Sequence, residues 1–339
     1  MLVAVEVASV SGFDLHYRRG GLLRSLPGRS PFPLPQQLGR EAAGHVVAVG
    51  AHVDRFRSGD RVVAVVHPED PTGPETIRGL GNLSTGIDIP GHQAPGAYAD
   101  YLVRDQELWL TLPEGVDFEQ AAVALWPYDT SHRLLTSRLR AVVGETLLIC
   151  GATGAMGLAT LRLATLMGLR VLTVTRHHAK ADGLHAAGAD HVTVLPDTTE
   201  GHLAAAVQEL REVAGGEGVD HAIDYTGDET FLRLLVDTLR LGGHLCPAGG
   251  SPGPLPVTAF DLTRLEATLV GIRGAGRHDA VTVLDLLARG RLHTPIAARF
   301  PLEQAADAHR LLETNTDLVG RVTLHPHRAP TSPPPGVDS

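Results

Sequence analysis

An apolar, strand-like run that ends in glycines and leads directly into a helix constrains this chain more than any other segment. The apolar run is 147–150, the glycine turn is 151–157, and helical periodicity continues over 158–169. Glycine lets a backbone turn tightly against a pyrophosphate, and the N-terminus of the following helix offers free N–H groups to its negative charge. This order predicts a dinucleotide-binding turn. Its candidate cofactor contacts are Gly151, Thr153, Gly154, Ala155, Met156 and Gly157.

Length and charge limit the class of protein. A chain of 339 residues accommodates two domains. Its formal net charge of −9 argues against a nucleic-acid partner, and no window has the length and apolar character of a membrane span. Residues 1–6 lack the basic start of a signal peptide. We therefore expect a cytoplasmic protein with a small-molecule substrate.

The periodicity changes along the chain. The first part alternates like β-strands, whereas 68–95 is rich in proline and glycine and has little period. From residue 119 helical patterns begin, and strands alternate with helices up to about residue 250, which is typical of a parallel sheet covered on both faces. The predicted strands are 3–10, 44–49, 61–66, 98–103, 146–150, 170–174, 191–195, 219–223, 243–248, 269–272 and 320–324, and the last two predicted helices are 278–290 and 303–313.

Several segments together resemble the medium-chain dehydrogenase/reductase superfamily over nearly the whole chain. They are 8–16, 39–44, 56–62, 96–101, the glycine turn and 187–192. The resemblance implies an α/β protein: a chaperonin-10-like β-rich catalytic domain from 1–122 and 272–325, and a doubly wound parallel-sheet (Rossmann) cofactor domain from 123–271. It also implies an active site in the cleft between them and a homodimer that pairs edge strands near 269–272. We expect 326–339 to be a disordered tail.

The sequence departs from the zinc-dependent branch of this superfamily at every position where that branch takes a catalytic metal ligand. Ser11 replaces a cysteine, Arg40 replaces a histidine, and Trp126 lies near the third position. None of the three is a competent zinc ligand. Of that shell only Glu41 remains, and Phe13 stands where a hydroxyl residue normally starts a proton relay. We therefore expect no zinc, either here or in the 79–96 lobe, where Ser84 takes the place of a structural cysteine.

The end of the second cofactor-domain strand indicates which nicotinamide is preferred. NAD-binding proteins have a carboxylate for the ribose hydroxyls at about the position that Thr175 occupies here, and this sequence has none there. Instead Arg176, His177, His178 and Lys180 follow. Arginine can hold a phosphate with two donors and stack on adenine, so we expect NADP(H). The alternative is a solvated basic run at a strand end.

Four residues are candidates for catalysis. His16 occupies a relay position in the resemblance, and a histidine near the nicotinamide ribose can relay protons, although a structural hydrogen bond is equally compatible. Tyr128 could donate a proton to an enolate, or serve a structural role. Ser11 and Arg40 lie at the former metal position. Arg40 could orient an oxyanion, but we favour pairing with Glu41 to fill the vacancy, because a buried arginine needs a partner.

The other cofactor contacts follow later strands: Thr226 and Gly249 should border the nicotinamide and its ribose. The function expected is a zinc-independent, NADPH-dependent oxidoreductase that reduces a conjugated C=C bond of an enone or quinone. A metal-free carbonyl or imine reductase is the first alternative. A non-redox enzyme, such as a cyclase or eliminase, or a binding protein on the same fold is the second.

Overall fold

The computed structural model describes residues 1–20, 32–249, 255–315 and 318–326. The chain forms two compact units, Met1–Asp129 with Gly274–Ser339, and Thr130–Arg273. The sequence analysis places the corresponding boundaries at 122 and 272. Most of the tail for which disorder is expected, 327–339, lies outside the described residues. Within the described ranges, no helix combines the length and apolar character that a membrane span requires.

The first unit is built on a mostly antiparallel sheet of seven strands, numbered here along the whole chain. Its order is β12-β13-β1-β2-β3-β5, with β4 also paired to β1, and only β12 and β13 run parallel. The strands are β1 (Leu2–Val10), β2 (Ala42–Ala48), β3 (Arg61–Ala64), β4 (Tyr101–Val103), β5 (Trp109–Thr111), β12 (Ile296–Pro301) and β13 (Arg321–His325). The helices are α1 (Gly12–Arg18), α2 (Pro74–Ile77), α3 (Phe118–Ala124), α10 (Arg277–Ala288) and α11 (Ala305–Thr314).

The core of this unit is formed where both ends of the chain meet. Val3, Val5 and Val10 of β1 are buried against Val322 and Leu324 of β13 and their neighbours. Side chains on both faces of β1 are buried, with only Leu2 and Glu6 partly exposed, which explains why its apolar run is nearly continuous.

The second unit has a parallel sheet of six strands with the order β11-β10-β9-β6-β7-β8. Counted within the unit, this is the 3-2-1-4-5-6 order of the doubly wound nucleotide-binding fold, in which ligands bind where the strand order reverses. The strands are β6 (Thr146–Cys150), β7 (Arg170–Thr175), β8 (His191–Val194), β9 (Val219–Asp224), β10 (Leu239–Pro247) and β11 (Thr268–Leu269). The helices are α4 (Thr130–Arg133), α5 (Ala155–Leu166), α6 (Ala181–Ala187), α7 (Glu200–Val213), α8 (Glu229–Thr238) and α9 (Ala259–Leu265).

The predicted strands are confirmed in position, with three corrections of length. The predicted strand 98–103 begins only at Tyr101, and the strand expected at 269–272 is only β11. β10 begins at Leu239, earlier than predicted, with an irregular register against β9. β11 stops early because it pairs on one side only and is followed by Val270 and then Gly271, and glycine weakens a strand. The lobe 68–95 is irregular apart from α2 and a 3₁₀ turn, Gly81–Leu83.

The segment that joins α3 to α4 is a π-helix, Leu125–Asp129. It carries Trp126 and Tyr128, two of the residues singled out from the sequence, and all five of its residues are buried. A second π-helical segment, Leu134–Arg138, follows α4. Such segments are rare and are frequently found at functional sites.

Candidate active site

A pocket opens at the carboxyl ends of β6, β7 and β9 in the second unit. This is the switch point of the strand order, where this fold binds ligands. We call it the glycine-turn pocket. Its lining residues are Gly151, Ala152, Thr153, Val174, Thr175, Arg176, His177, Lys180, Thr226, Asp228 and Phe231. Six of the eleven predicted cofactor contacts therefore line one pocket.

The glycine turn has the geometry that a pyrophosphate requires. Gly151 has a φ of +80°, which is the left-handed region that side chains disfavour. A β-carbon added to Gly157 would lie 2.2 Å from the carbonyl oxygen of Gly151, so only glycine allows the first turn of α5 to pack on the strand end. Gly154 is the N-cap of α5, and Ala155 and Met156 begin the helix. Their N–H groups are the free donors of a helix N-terminus.

Arg176 is held at the edge of this pocket by a carboxylate that the sequence analysis missed. Its Nη2 donates to Oδ2 of Asp228 at 2.5 Å, and its guanidinium carbon lies 4.7 Å from the ring centroid of Phe231. The sequence has no carboxylate near Thr175, but in the folded protein Asp228 lies next to the basic run. Asp228 is 52 residues away in the chain. The only local signal for it was the N-cap position before α8.

Asp228 is fixed and ionised. Its Oδ1 accepts the backbone N–H groups of Thr230 and Phe231, at 2.9 and 3.3 Å, at the start of α8. Burial acts to raise its pKa, but hydrogen bonds from Arg176 and the two backbone amides outweigh burial and hold the pKa below its usual value. The pocket therefore presents one stable negative charge next to Arg176.

The loop after β9 is organised by Asp224. Its carboxylate accepts hydrogen bonds from the N–H and Oγ1 of Thr226, at 3.0 and 2.6 Å, and from the N–H of Gly227 at 2.7 Å. Thr226 thereby lines the pocket. Gly249 follows β10 and is not among the lining residues, although the N–H of Ala248 donates to the Asp224 carbonyl at 2.8 Å.

In the first unit, Arg40 lies in a group of aromatic and polar side chains that we call the Arg40 cluster: Phe13, Tyr17, Arg40, His92 and Trp126. The guanidinium carbon lies 3.9 Å from the Trp126 ring centroid. Nη2 donates to the Val66 carbonyl at 2.9 Å, and Nη1 donates to the Tyr17 hydroxyl at 3.4 Å. Only 6% of Arg40 is exposed, and its Nε has no hydrogen-bond partner among the described residues.

The predicted pairing of Arg40 with Glu41 is wrong. Glu41 is buried and forms a close ion pair with Arg321 at the start of β13. Burial raises the pKa of Glu41 to about 7, and the charge of Arg321 offsets only part of that rise. Among the described residues, no carboxylate lies within 4 Å of the Arg40 guanidinium. Arg40 is therefore a buried cation whose partners are neutral.

Ser11 and His16 are not among the residues of the Arg40 cluster. Ser11 is the N-cap of α1, and its Oγ donates to Oδ2 of Asp14 at 2.7 Å in a capping box. His16 is exposed on α1, and its imidazole makes no hydrogen bond to any residue the structure describes. Ser11 thus stabilises a helix start, and His16 is not brought to the Arg40 cluster.

Tyr128 is buried, and its hydroxyl donates to the His293 carbonyl at 3.3 Å. This bond commits the hydroxyl to the backbone. Phe13 and Trp126 are in contact: their ring centroids are 4.9 Å apart, and Phe13 is 46% exposed.

Sequence reasoning missed Tyr17, which lies next to His16 on α1 but is buried. Its hydroxyl lies 3.4 Å from Nδ1 of His92 and accepts from Arg40. The signal was present, because Phe13 and Tyr17 are four residues apart and so share a helix face. Their ring centroids are 6.0 Å apart.

The residues at the metal position of the zinc branch do not fit a zinc ion. Ser11 is engaged in capping, Arg40 is a cation, and Glu41 is paired with Arg321. In residues 1–20, 32–249, 255–315 and 318–326, no three His, Cys, Asp or Glu side chains are grouped as a metal would need. In the lobe, Ser84 accepts a hydrogen bond from the N–H of Asp70 at 3.0 Å.

Known proteins match both parts of the chain. Residues 1–114 match the family described as alcohol dehydrogenase GroES-like domain, and residues 155–289 match the family described as zinc-binding dehydrogenase. Sorbitol dehydrogenase of Bacillus subtilis is 27% identical over 338 residues, which cover 97% of this chain and 90% of that protein. Quinone oxidoreductase of Pseudomonas aeruginosa is 29% identical over 320 residues, covering 91% and 84%.

A solved structure agrees with these matches. The crystal structure of an NAD-dependent alcohol dehydrogenase superposes with a TM-score of 0.83 at 27% identity, covering 96% of this chain and 91% of that one. The GroES-like family covers the β-rich part, and the doubly wound sheet carries the glycine turn. The chain therefore belongs to the medium-chain dehydrogenase/reductase superfamily, whose members are oxidoreductases that bind nicotinamide cofactors.

Proposed function

We propose that this protein is a zinc-independent, NADPH-dependent reductase of small organic substrates with a conjugated C=C bond, of the enone or quinone type. The observation that carries the proposal is Arg40, a buried cation with no carboxylate partner among the residues that the structure describes, at the position where the zinc branch has a metal ligand. Several relatives with similar sequences are named quinone oxidoreductase, including those of Pseudomonas aeruginosa and Rattus norvegicus.

Arg40 supplies the electrostatic part of the reaction. Hydride addition to the β-carbon of an enone moves negative charge onto the carbonyl oxygen, and a fixed cation in a dry site stabilises that charge strongly. The guanidinium is fixed by the Val66 carbonyl and the face of Trp126. A zinc ion would fulfil the same electrostatic role through coordination, which the residues here do not permit.

The Arg40 cluster also contains a proton donor and an apolar wall. The Tyr17 hydroxyl, between Arg40 and His92, is placed to hold a proton for the enolate. Trp126 and Phe13 present flat aromatic faces, which suit a planar conjugated substrate.

NADPH, when bound, supplies the hydride. The residues of the glycine-turn pocket would hold this cofactor: the α5 N-terminus would bind the pyrophosphate, and Thr175, Arg176 and Lys180 would receive the 2′-phosphate of the adenosine ribose. We also propose a homodimer in which the second units of two copies pair through their edge strands β11. Light scattering on the purified protein tests this dimer.

The deciding experiment uses NADPH deuterated at the transferable position and an enone such as cyclohexenone. We expect deuterium at the β-carbon of the saturated ketone, located by NMR, and undiminished activity after exhaustive chelation. Deuterium at the carbonyl carbon would replace the proposal with carbonyl reduction. Product formed without NADPH consumption would point to a non-redox reaction.

A further inference from the structure

The ion pair between Arg176 and Asp228 lies within the glycine-turn pocket and is held from both sides. Arg176 is fixed by Oδ2 of Asp228 at 2.5 Å and by the face of Phe231. All three residues line the pocket. The guanidinium therefore presents its donors to a carboxylate of this chain at the place where we propose that it binds a phosphate.

Asp228 cannot turn away from Arg176 without cost. Its second oxygen caps α8 through two backbone N–H groups, and its own N–H donates to Oγ1 of Thr226 at 3.0 Å. Thr226 is in turn bonded to the buried Asp224. Removing a helix N-cap destabilises the helix that it caps. The carboxylate is thus held in the pocket by the start of α8, and the side chain of Arg176 is the more exposed of the two partners.

Charge determines what this carboxylate does to each cofactor. A 2′-phosphate brings about two negative charges, which compete with the Asp228 carboxylate for the donors of Arg176. A 2′-hydroxyl brings no charge and can donate a hydrogen bond to a carboxylate. The same side chain therefore disfavours NADPH and tolerates NADH.

We infer that Asp228 is a specificity-determining residue: it competes with the 2′-phosphate for Arg176 and so restrains the preference of this protein for NADPH over NADH. The inference rests on the proposed cofactor site. The preference between NADPH and NADH would then depend on two opposing groups: the basic residues at the end of β7 and one carboxylate at the N-terminus of α8.

The test measures binding rather than turnover. Calorimetry with full-length protein compares NADPH with NADH, and 2′,5′-ADP with 5′-AMP, which carry only the adenosine end. The variants are Asp228→Asn, Arg176→Ala and the double variant. Asparagine is as good an N-cap as aspartate, so the first change removes the charge and keeps the cap. Asp228→Ser, which also keeps a capping oxygen, repeats the test with a different side chain.

We expect Asp228→Asn to increase the affinity for NADPH and 2′,5′-ADP about tenfold, because it removes one close charge contact. The affinities for NADH and 5′-AMP should change less than about threefold. In the Arg176→Ala background the same change should have less than about a third of this effect. Asp197→Asn is the control, because it removes one exposed charge of the second unit outside the pocket.

Two results would overturn the inference: an unchanged ratio of phosphorylated to unphosphorylated ligand in Asp228→Asn, or an equal gain with and without Arg176. The proposed cofactor preference fails separately, if the unmodified protein binds NADH more tightly than NADPH. In that case the change in ratio on Asp228→Asn still tests the competition for Arg176.

Discussion

Replacing Arg40 by methionine should separate catalysis from stability. Methionine has a similar length and no charge, so it fills the space over Trp126. The change removes a charged hydrogen bond to the Val66 carbonyl at 2.9 Å and a cation–π contact at 3.9 Å. Such interactions contribute about 1.5–3 and 0.5–2 kcal/mol respectively. It also removes the desolvation penalty of a buried, uncompensated cation, which is several kcal/mol.

The two sets of effects nearly cancel, so the free energy of unfolding of Arg40→Met should change by less than about 2 kcal/mol. By contrast, the kcat of Arg40→Met should fall. Loss of one preorganised donor to a developing oxyanion typically lowers kcat about 10²–10³-fold. We would measure stability by urea unfolding with circular dichroism, and kcat from NADPH oxidation with the enone.

Arg104 provides a matched control in the same unit. It is also buried, its Nε and Nη1 have no hydrogen-bond partners, and burial lowers its pKa to about 9. Arg104→Met should therefore leave kcat unchanged and should not destabilise the fold. If Arg40→Met instead kept its kcat and lost more than about 3 kcal/mol of stability, as breaking a buried ion pair does, Arg40 would be a structural plug.

Three further changes test the glycine turn and the first unit. Gly157→Ala should weaken NADPH binding at least about 100-fold, because its β-carbon meets the turn backbone. Gly183→Ala, in open space on α6, should bind NADPH normally and raise the free energy of unfolding by up to about 1 kcal/mol. Equal NADPH affinities of the two variants in fluorescence titration would contradict the proposed role of the glycine turn. Ser11→Ala should cost about 1 kcal/mol in urea unfolding with kcat unchanged, and a large loss of kcat would restore Ser11 to the catalytic residues. Burial raises the pKa of Glu41 from 4.5 to about 7, so its contribution to stability is fully present below pH 4.5 and is lost as pH rises through 7. Glu41→Gln should flatten urea stability between about pH 5 and 8, and an unaltered pH profile would show that Glu41 is ionised throughout.

The sheet of the second unit could be predicted well because its signals are local. β6 is an apolar run, β7 and β8 are rich in valine and threonine, and each of β6, β7, β8 and β9 begins and ends within about a residue of its predicted limits. The length of β11 could not be predicted, since an edge strand is covered on one side only and its extent depends on where β10 offers a partner. β10 began early for a similar reason: its first residue pairs with β9 before an irregularity in the register.

The site was predictable only in its contiguous part. The glycine turn and the end of β7 are single segments, so their residues could be found from order alone. Asp228 reaches Arg176 because the N-terminus of α8 and the end of β7 meet at one edge of the sheet. No local pattern reports such a contact. Tyr17 was missed although its spacing of four residues from Phe13 indicates a shared helix face.

The mistaken Arg40–Glu41 pair has the largest consequence for mechanism. Neighbouring side chains of an extended chain point to opposite sides, and these two have separate partners: Glu41 is paired with Arg321, and Arg40 lies over Trp126. Because Glu41 is paired with Arg321, the charge of Arg40 has no counter-ion in the part of the chain that the structure describes. A cation that only filled the vacated site would have been compensated by Glu41. Because Glu41 and Arg40 have separate partners, the Arg40 cluster carries a positive charge. In the proposed reaction this charge would stabilise the developing oxyanion, as a zinc ion does in the zinc branch.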